Sequence, residues 1–201
     1  MNPGLLLVVS GPAGVGKGTI VRKMMENDTK FVFSVSATSR VPRANESEGK
    51  NYYYKTREQF EEMIKNDELL EWVEYCGNYY GTPRDLVCRE IEKGNVVILE
   101  IEVDGALNVK RLFPDCVLCF IIPPDFDELE KRLRGRGTDT EESIISRLSR
   151  AKEEFKYLDK YDYLVVNDSI ENATQRFISI VQAEQMRTNR NQSLINKFKN
   201  I

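Results

Sequence analysis

Gly11-Pro12-Ala13-Gly14-Val15-Gly16-Lys17-Gly18-Thr19 follows directly on an apolar run at residues 5–9. Glycines let successive backbone N–H groups turn toward one anion, because side chains would block the approach. Lys17 adds a mobile positive charge for outer phosphates, and a helix starting there presents its positive end to them. Strand, glycine loop and lysine together therefore predict a phosphate cradle in which all nine residues, Gly11 to Thr19, meet a nucleotide triphosphate. The spacing is that of a P-loop, but Gly18 stands where the pattern carries a magnesium-ligating Ser or Thr. Thr19, one place on, is the nearest hydroxyl. Metal, phosphate and helix backbone all remain open as its partner.

The chain of 201 residues contains no histidine. Histidine is excluded as metal ligand, proton shuttle or triad base, so carboxylates, lysine, arginine and tyrosine must carry any chemistry. Net charge is −3 with 30% charged residues. No basic field marks a nucleic-acid polymer or a membrane as partner, and anion binding falls to local arginine clusters. No stretch reaches the roughly 20 apolar residues of a membrane span. Residues 1–4 run into a strand without a basic region or cleavage site, which predicts a cytoplasmic protein. Cys116 and Cys119 form a C-x-x-C in an apolar run. In a strand these side chains point to opposite faces, so the expectation is apolar packing of reduced thiols, not redox or zinc chemistry.

The elements that hold these residues alternate. Apolar runs at 5–9, 31–36, 96–101, 117–122 and 163–166 predict strands, and helical patterns fill 87–92, 106–112, 126–134 and 143–155. Short apolar strands separated by helices imply an α/β fold with a parallel sheet covered on both faces. A last helix is expected from about residue 171 into the polar tail at 189–192. Residues 37–84 break the rhythm with arginines, tyrosines, a capping-box spacing at Thr56 and Gln59, and an alternating strand at 69–75. They read as a small, partly antiparallel lobe inserted into a core of 1–36 and 85–201. A second interruption at 132–142, two glycines among arginines, reads as a basic lid. In strand 69–75 the alternation puts Glu71 on one face with Leu69, Val73 and Tyr75. Thr82, followed by Pro83 and Asp85, has the pattern of a helix N-cap with proline in the first helical position.

Ser36-Ala37-Thr38-Ser39-Arg40-Val41-Pro42-Arg43, Gly49-Lys50-Asn51-Tyr52, the block from Glu71 to Pro83, Leu99-Glu100-Ile101-Glu102-Val103-Asp104-Gly105-Ala106, Gly135-Arg136-Gly137-Thr138 and Val166-Asn167-Asp168 occur in this order around the P-loop. In that order the chain resembles the guanylate kinases over nearly its whole length. The resemblance implies transfer of the terminal phosphate of ATP to GMP with Mg²⁺, and dGMP as a further acceptor. It places the GMP phosphate on Ser36, Arg40, Arg43, Tyr52 and Tyr80, where guanidinium and phenol donors suit a dianion. Guanine falls on Glu71 and Thr82, since its ring N1–H and 2-amino donors match one carboxylate and its O6 needs a donor. Glu100 and Glu102 stand where related kinases commonly carry aspartates. Which of them serves magnesium-bound water and which the guanine lobe stays open. Lys17, Arg132, Arg136 and Arg147 match positions around the transferring phosphate, where positioned cations matter more than a base. Asn167 matches a position near the adenine of ATP. Two rivals have discriminators in the sequence. An adenylate-type kinase does not explain the block from Glu71 to Thr82, and a peptide-binding scaffold module does not explain Lys17.

Overall fold

The structure, a computed structural model, describes residues 3–43, 45–75, 77–135, 137 and 139–200. Strand β1 (Leu5–Ser10) is buried along its whole length and turns through the glycine loop into helix α1 (Lys17–Asn27). Strand β2 (Phe31–Phe33) is shorter than expected, because after the Ser34 N–H bonds Ile98 O the chain leaves the sheet to start β3 (Ala37–Thr38) elsewhere. Then come β4 (Tyr53–Tyr54), α2 (Arg57–Lys65), β5 (Leu69–Tyr75) and β6 (Asn78–Pro83). Helix α3 (Arg84–Glu92) leads back to β7 (Val96–Glu100), α4 (Val103–Leu112) and β8 (Val117–Ile122). Helices α5 (Phe126–Gly135) and α6 (Glu141–Glu154) precede β9 (Tyr163–Val166) and α7 (Ile170–Gln185).

Five strands form one parallel sheet in the order β2-β7-β1-β8-β9. Side chains alternate along β1, so Leu5, Leu7 and Val9 enter one core layer with α1 and α7, and Leu6 and Val8 enter the other with α3 and α4. Both faces are thus covered, as the continuous apolar strands require. Cys119 packs in the first layer and Cys116 in the second, and both are free thiols. Because β1 is central with crossovers to each side, its C-terminal end is the switch point where such sheets gather ligands.

The second sheet runs β4-β3-β6-β5, with β5-β6 and β6-β3 antiparallel. Its own small core is Ala37, Phe60, Leu69 and Tyr79, with Phe60 stacked on Tyr79 at 5.2 Å. Thr56 and Gln59 form the capping box that starts α2. A bulge between Leu69 and Glu71 corrects the expected face of β5. Leu69 packs in the lobe core while Leu70 reaches the core of the first sheet. The extra residue lets one strand fill both cores, so Glu71 parts company with Leu69 and keeps Val73.

Two further expectations are corrected here. Pro83, not Thr82, is the residue before α3, and no side chain caps that helix. The last long helix ends at Gln185, and a separate short helix α8 (Gln192–Lys199) follows a 3-10 turn at Thr188–Arg190. Asn191 donates to the carbonyls of Gln185 and Arg187, which ties the polar tail into a bend instead of a continuing helix. Helices also extend into the expected lid: α5 reaches Gly135 and α6 starts at Glu141. Arg134 joins the two through Glu141 at 2.7 Å.

Candidate active site

The loop after β1 takes its shape from close backbone approaches. Gly16 has φ +98°, and a Cβ there would lie 2.6 Å from the Asn167 amide nitrogen. Only glycine meets both demands. That same amide donates to Val15 O at 2.7 Å, so the end of β9 fastens the loop to the sheet. Asn167 is buried and its Oδ1 finds no partner among the described residues. Lys17 donates to the carbonyls of Gly11 and, at 3.3 Å, Pro12. Its ammonium is thereby held over the loop.

A cavity of about 380 Å³ lies between the two sheets. Lys17 and Ser36 line it from the core and Tyr52, Glu71 and Tyr80 from the second sheet's segment, together with Glu100 and Glu102. Seven of the residues singled out from sequence thus meet in one space. Glu71 is buried, and burial pushes its carboxyl up to about 7, opposed by the hydrogen bond it accepts from Thr82. That bond is 2.8 Å from Thr82 Oγ1 to Glu71 Oε1. Thr82 lies one residue before the Pro83 N-cap, and its hydroxyl donates to the Glu71 carboxylate instead of capping α3. Burial also raises the Glu100 carboxyl, with the nearby Lys17 opposing the shift.

Gly18 faces Glu100, whose Oε2 would lie 3.7 Å from a Cβ at that position. A carboxylate therefore sits beside the place where the P-loop pattern carries a hydroxyl. Among the described residues no three acidic, cysteine or histidine side chains form a metal cage. Magnesium does not need one: it takes one or two carboxylates, waters and substrate phosphate oxygens. The residues present fit that ion. Thr19 is exposed on α1 and is not among the cavity residues.

Of the arginines singled out from sequence, Arg40, Arg43, Arg132 and Arg147 are not among the cavity residues. Arg40 lies over the Tyr52 ring at 5.5 Å, and Tyr52 meets Tyr80 edge-on at 5.9 Å. Arg43 is exposed on the adjoining loop. Arg132 holds Glu128 at 2.9 Å and donates to Asn167 O at 3.0 Å. Arg147 pairs with Asp139 at 3.1 Å. Arg136 lies outside the described residues.

Sequence reasoning missed several neighbours. Asp104, Gly105 and Arg150 line the cavity. Arg150 bridges Glu102 at 3.2 Å and Glu154 at 3.1 Å, and Glu154 is buried, with one oxygen unpartnered among the described residues. Asp104 and Gly105 lie in the motif block from Leu99 to Ala106 but were given no role, and the Arg150 to Glu154 spacing of one helical turn signalled the ion pair but not the cavity.

A parallel sheet delivering a glycine and lysine loop from its central strand, with a second sheet across the cavity, defines a P-loop kinase fold. The Guanylate kinase family model matches residues 4–184. A guanylate kinase of Halalkalibacterium halodurans is 53% identical over 195 residues, 97% of this chain and 94% of that protein. One from Lactococcus lactis is 53% identical over 93% of this chain and 91% of its own length. The crystal structure of guanylate kinase from Anaplasma phagocytophilum superposes with a TM-score of 0.76 at 35% identity, covering 94% of this chain and 90% of that one. A shikimate kinase from Bacteroides thetaiotaomicron shares the fold at TM-score 0.50 and 15% identity, covering 89% of this chain and 98% of that one. The chain belongs to the guanylate kinase family.

Proposed function

We propose that the chain transfers the terminal phosphoryl group of ATP to GMP, giving ADP and GDP, and that dGMP also serves as acceptor. The observation that carries this reading is the buried Glu71, held from behind by Thr82, lining the same cavity as Lys17. One end of the cavity accepts the two donors of guanine, and the other takes phosphate. Adenine offers no such donor pair.

Residues 37–84 act as the GMP lobe and 132–142 as the lid. The P-loop residues Gly11 to Thr19 wrap the ATP phosphates, with Asn167 on the adenine side. Ser36, Arg40, Arg43, Tyr52 and Tyr80 hold the GMP phosphate. A GMP phosphate oxygen attacks the γ-phosphorus, and the bond from that phosphorus to the β,γ-bridging oxygen breaks, leaving ADP. The nucleophile is already an anion near neutral pH, so no general base is required. Lys17 exchanges its loop carbonyls for phosphate oxygens, and Arg132, Arg136 and Arg147 gather around the charge on the moving group. Arg132 and Arg147 must first release Asn167 O and Asp139, a movement that closing of the lid supplies. Glu100 or Glu102, through metal-bound water, and Thr19, if its hydroxyl turns inward, would hold Mg²⁺, which would supply neutralising charge for the ATP phosphates.

Among the described residues no helix is long and apolar enough to cross a membrane. Both substrates are soluble nucleotides, which supports a cytoplasmic place of work. The test is initial-rate phosphorylation of GMP, AMP, CMP and UMP by ATP with Mg²⁺. GMP is expected to dominate, and equal turnover of AMP and GMP would refute the assignment.

A further inference from the structure

Arg40, Arg43 and Tyr54 converge on one carboxylate. Glu46 Oε1 and Oε2 accept from Arg40 Nη2 at 2.9 and 2.8 Å. Oε2 also accepts from the Arg43 N–H at 3.0 Å and the Tyr54 hydroxyl at 2.9 Å. The Arg40 and Glu46 side chains are only 14% and 16% exposed, although both belong to a surface loop. The Arg43 N–H foremost, then Arg40 and Tyr54, hold the Glu46 carboxyl down to about 2 against the opposing effect of burial. It is therefore an anion throughout the working pH range.

The geometry distinguishes a brace from a competitor. Both Glu46 oxygens take hydrogens from the single nitrogen Nη2, and Nη1 donates to Val41 O at 2.8 Å. Glu46 and Val41 O thus take three of the five guanidinium hydrogens, and the rest of the group faces Tyr80, a residue that lines the cavity. Arg40 lies against Tyr52, which lines the cavity, whereas Glu46 does not line it. Tyr54 carries the restraint to Tyr52, which it meets edge-on at 6.1 Å. One side chain thus ties the Arg40–Arg43 loop to the Tyr52–Tyr54 segment and leaves the edge of the guanidinium away from Glu46 facing the cavity tyrosine Tyr80. A flexible arginine loses less freedom on binding phosphate when its rotamer is already set.

We infer that Glu46 is the positioning residue of the monophosphate clamp, acting on the acceptor phosphate through Arg40, the Arg43 backbone and Tyr54 without touching substrate. The inference rests on the GMP reading above. Glu46→Gln keeps the shape but removes the charge and one acceptor oxygen. It should raise KM for GMP about 10- to 100-fold, leave kcat within about threefold and leave KM for ATP unchanged. Equilibrium binding should show GMP weakened and guanosine unaffected, a split that a merely structural role does not produce. Glu46→Asp should recover part of the loss. In an Arg40→Ala background, Glu46→Gln should add less than threefold, because the group it positions is gone.

A lower KM for GMP in Glu46→Gln would overturn the inference by making the carboxylate a competitor of phosphate. An unchanged KM, or equal weakening of GMP and guanosine, would overturn it equally. Wild-type enzyme is assayed first: if it fails to phosphorylate GMP, the substrate reading falls, and if it succeeds the Glu46 result stands by itself.

Discussion

Glu71→Gln separates binding chemistry from stability, because the structure predicts opposite signs for the two. Guanine presents two parallel donors, and a carboxylate accepts both. The amide accepts through one oxygen and turns its NH₂ against the second donor. Losing one charge-assisted bond and leaving one donor opposed should together cost roughly 2–4 kcal/mol in kcat/KM for GMP, about 30- to 1,000-fold. AMP should lose far less, so the GMP preference narrows by about one to three powers of ten. Stability moves the other way. Burial raises the Glu71 carboxyl to about 7, above its usual 4.5, so the folded state binds the proton more tightly than the unfolded chain. A raised carboxyl gives stability that is fully present below about 4.5 and is lost as pH rises through about 7. Ionising it there costs about 3 kcal/mol. The glutamine keeps the oxygen that Thr82 needs and never ionises. Its Tm should therefore match wild type near pH 4.5 and exceed it by up to roughly 10 °C at pH 8, at about 2–4 °C per kcal/mol for a chain of this size. Steady-state rates with GMP and AMP, with melts at pH 5 and 8, provide the assay. An unchanged GMP to AMP ratio together with a lower Tm at pH 8 would falsify the placement of guanine on Glu71.

Wild-type KM for GMP should climb below about pH 7, approaching tenfold per unit, because the protonated carboxyl offers a donor where guanine already has one; that arm should vanish in Glu71→Gln, while any effect of the GMP phosphate's own ionisation near pH 6 persists. Thr82→Val removes the bond that lowers the Glu71 carboxyl, so this arm should move to higher pH, and a shift the other way would contradict the assigned cause. Lys17→Ala should cut kcat by about 10²–10³-fold with Tm nearly unchanged, since the ammonium bonds only loop carbonyls here; near-normal turnover in the folded variant would refute its role. Scattering should show the protein contract when GMP and a non-hydrolysable ATP analogue bind together, as a reaction that must exclude water requires, and one shape in all states would count against lobe and lid closure.

Some elements were legible to the residue. Strands 69–75, 117–122 and 163–166 stand where the pattern put them, because turn residues bound each run. The bulge after Leu69 was not legible. Leu69 and Leu70 are both apolar, and only the presence of two cores to fill decides that adjacent residues face different ways. Thr82 misled for a related reason. Its local pattern is that of a cap, but local pattern carries no information about a carboxylate 11 residues upstream that lacks another strong donor.

Arginines placed by motif order were legible as positions and not as present contacts. Arg132 and Arg147 each hold an acceptor within the protein, so their charge is already partnered before substrate arrives. The same holds for Lys17 on its loop and Arg40 on Glu46. A cluster of unscreened cations would repel itself and bind stray anions, and each internal acceptor prevents that at the cost of some attraction for substrate. Carbonyls that hold Lys17 and Arg132 are neutral and yield readily to phosphate. Glu46 is charged, grips through two oxygens and stays out of the cavity. For Lys17 the partners to be displaced are thus weak neutral acceptors, whereas Arg147 would have to give up a carboxylate, Asp139, and Glu46 is a strong acceptor set behind the arginine it holds. That ordering follows from acceptor strength and position, neither of which a sequence motif encodes.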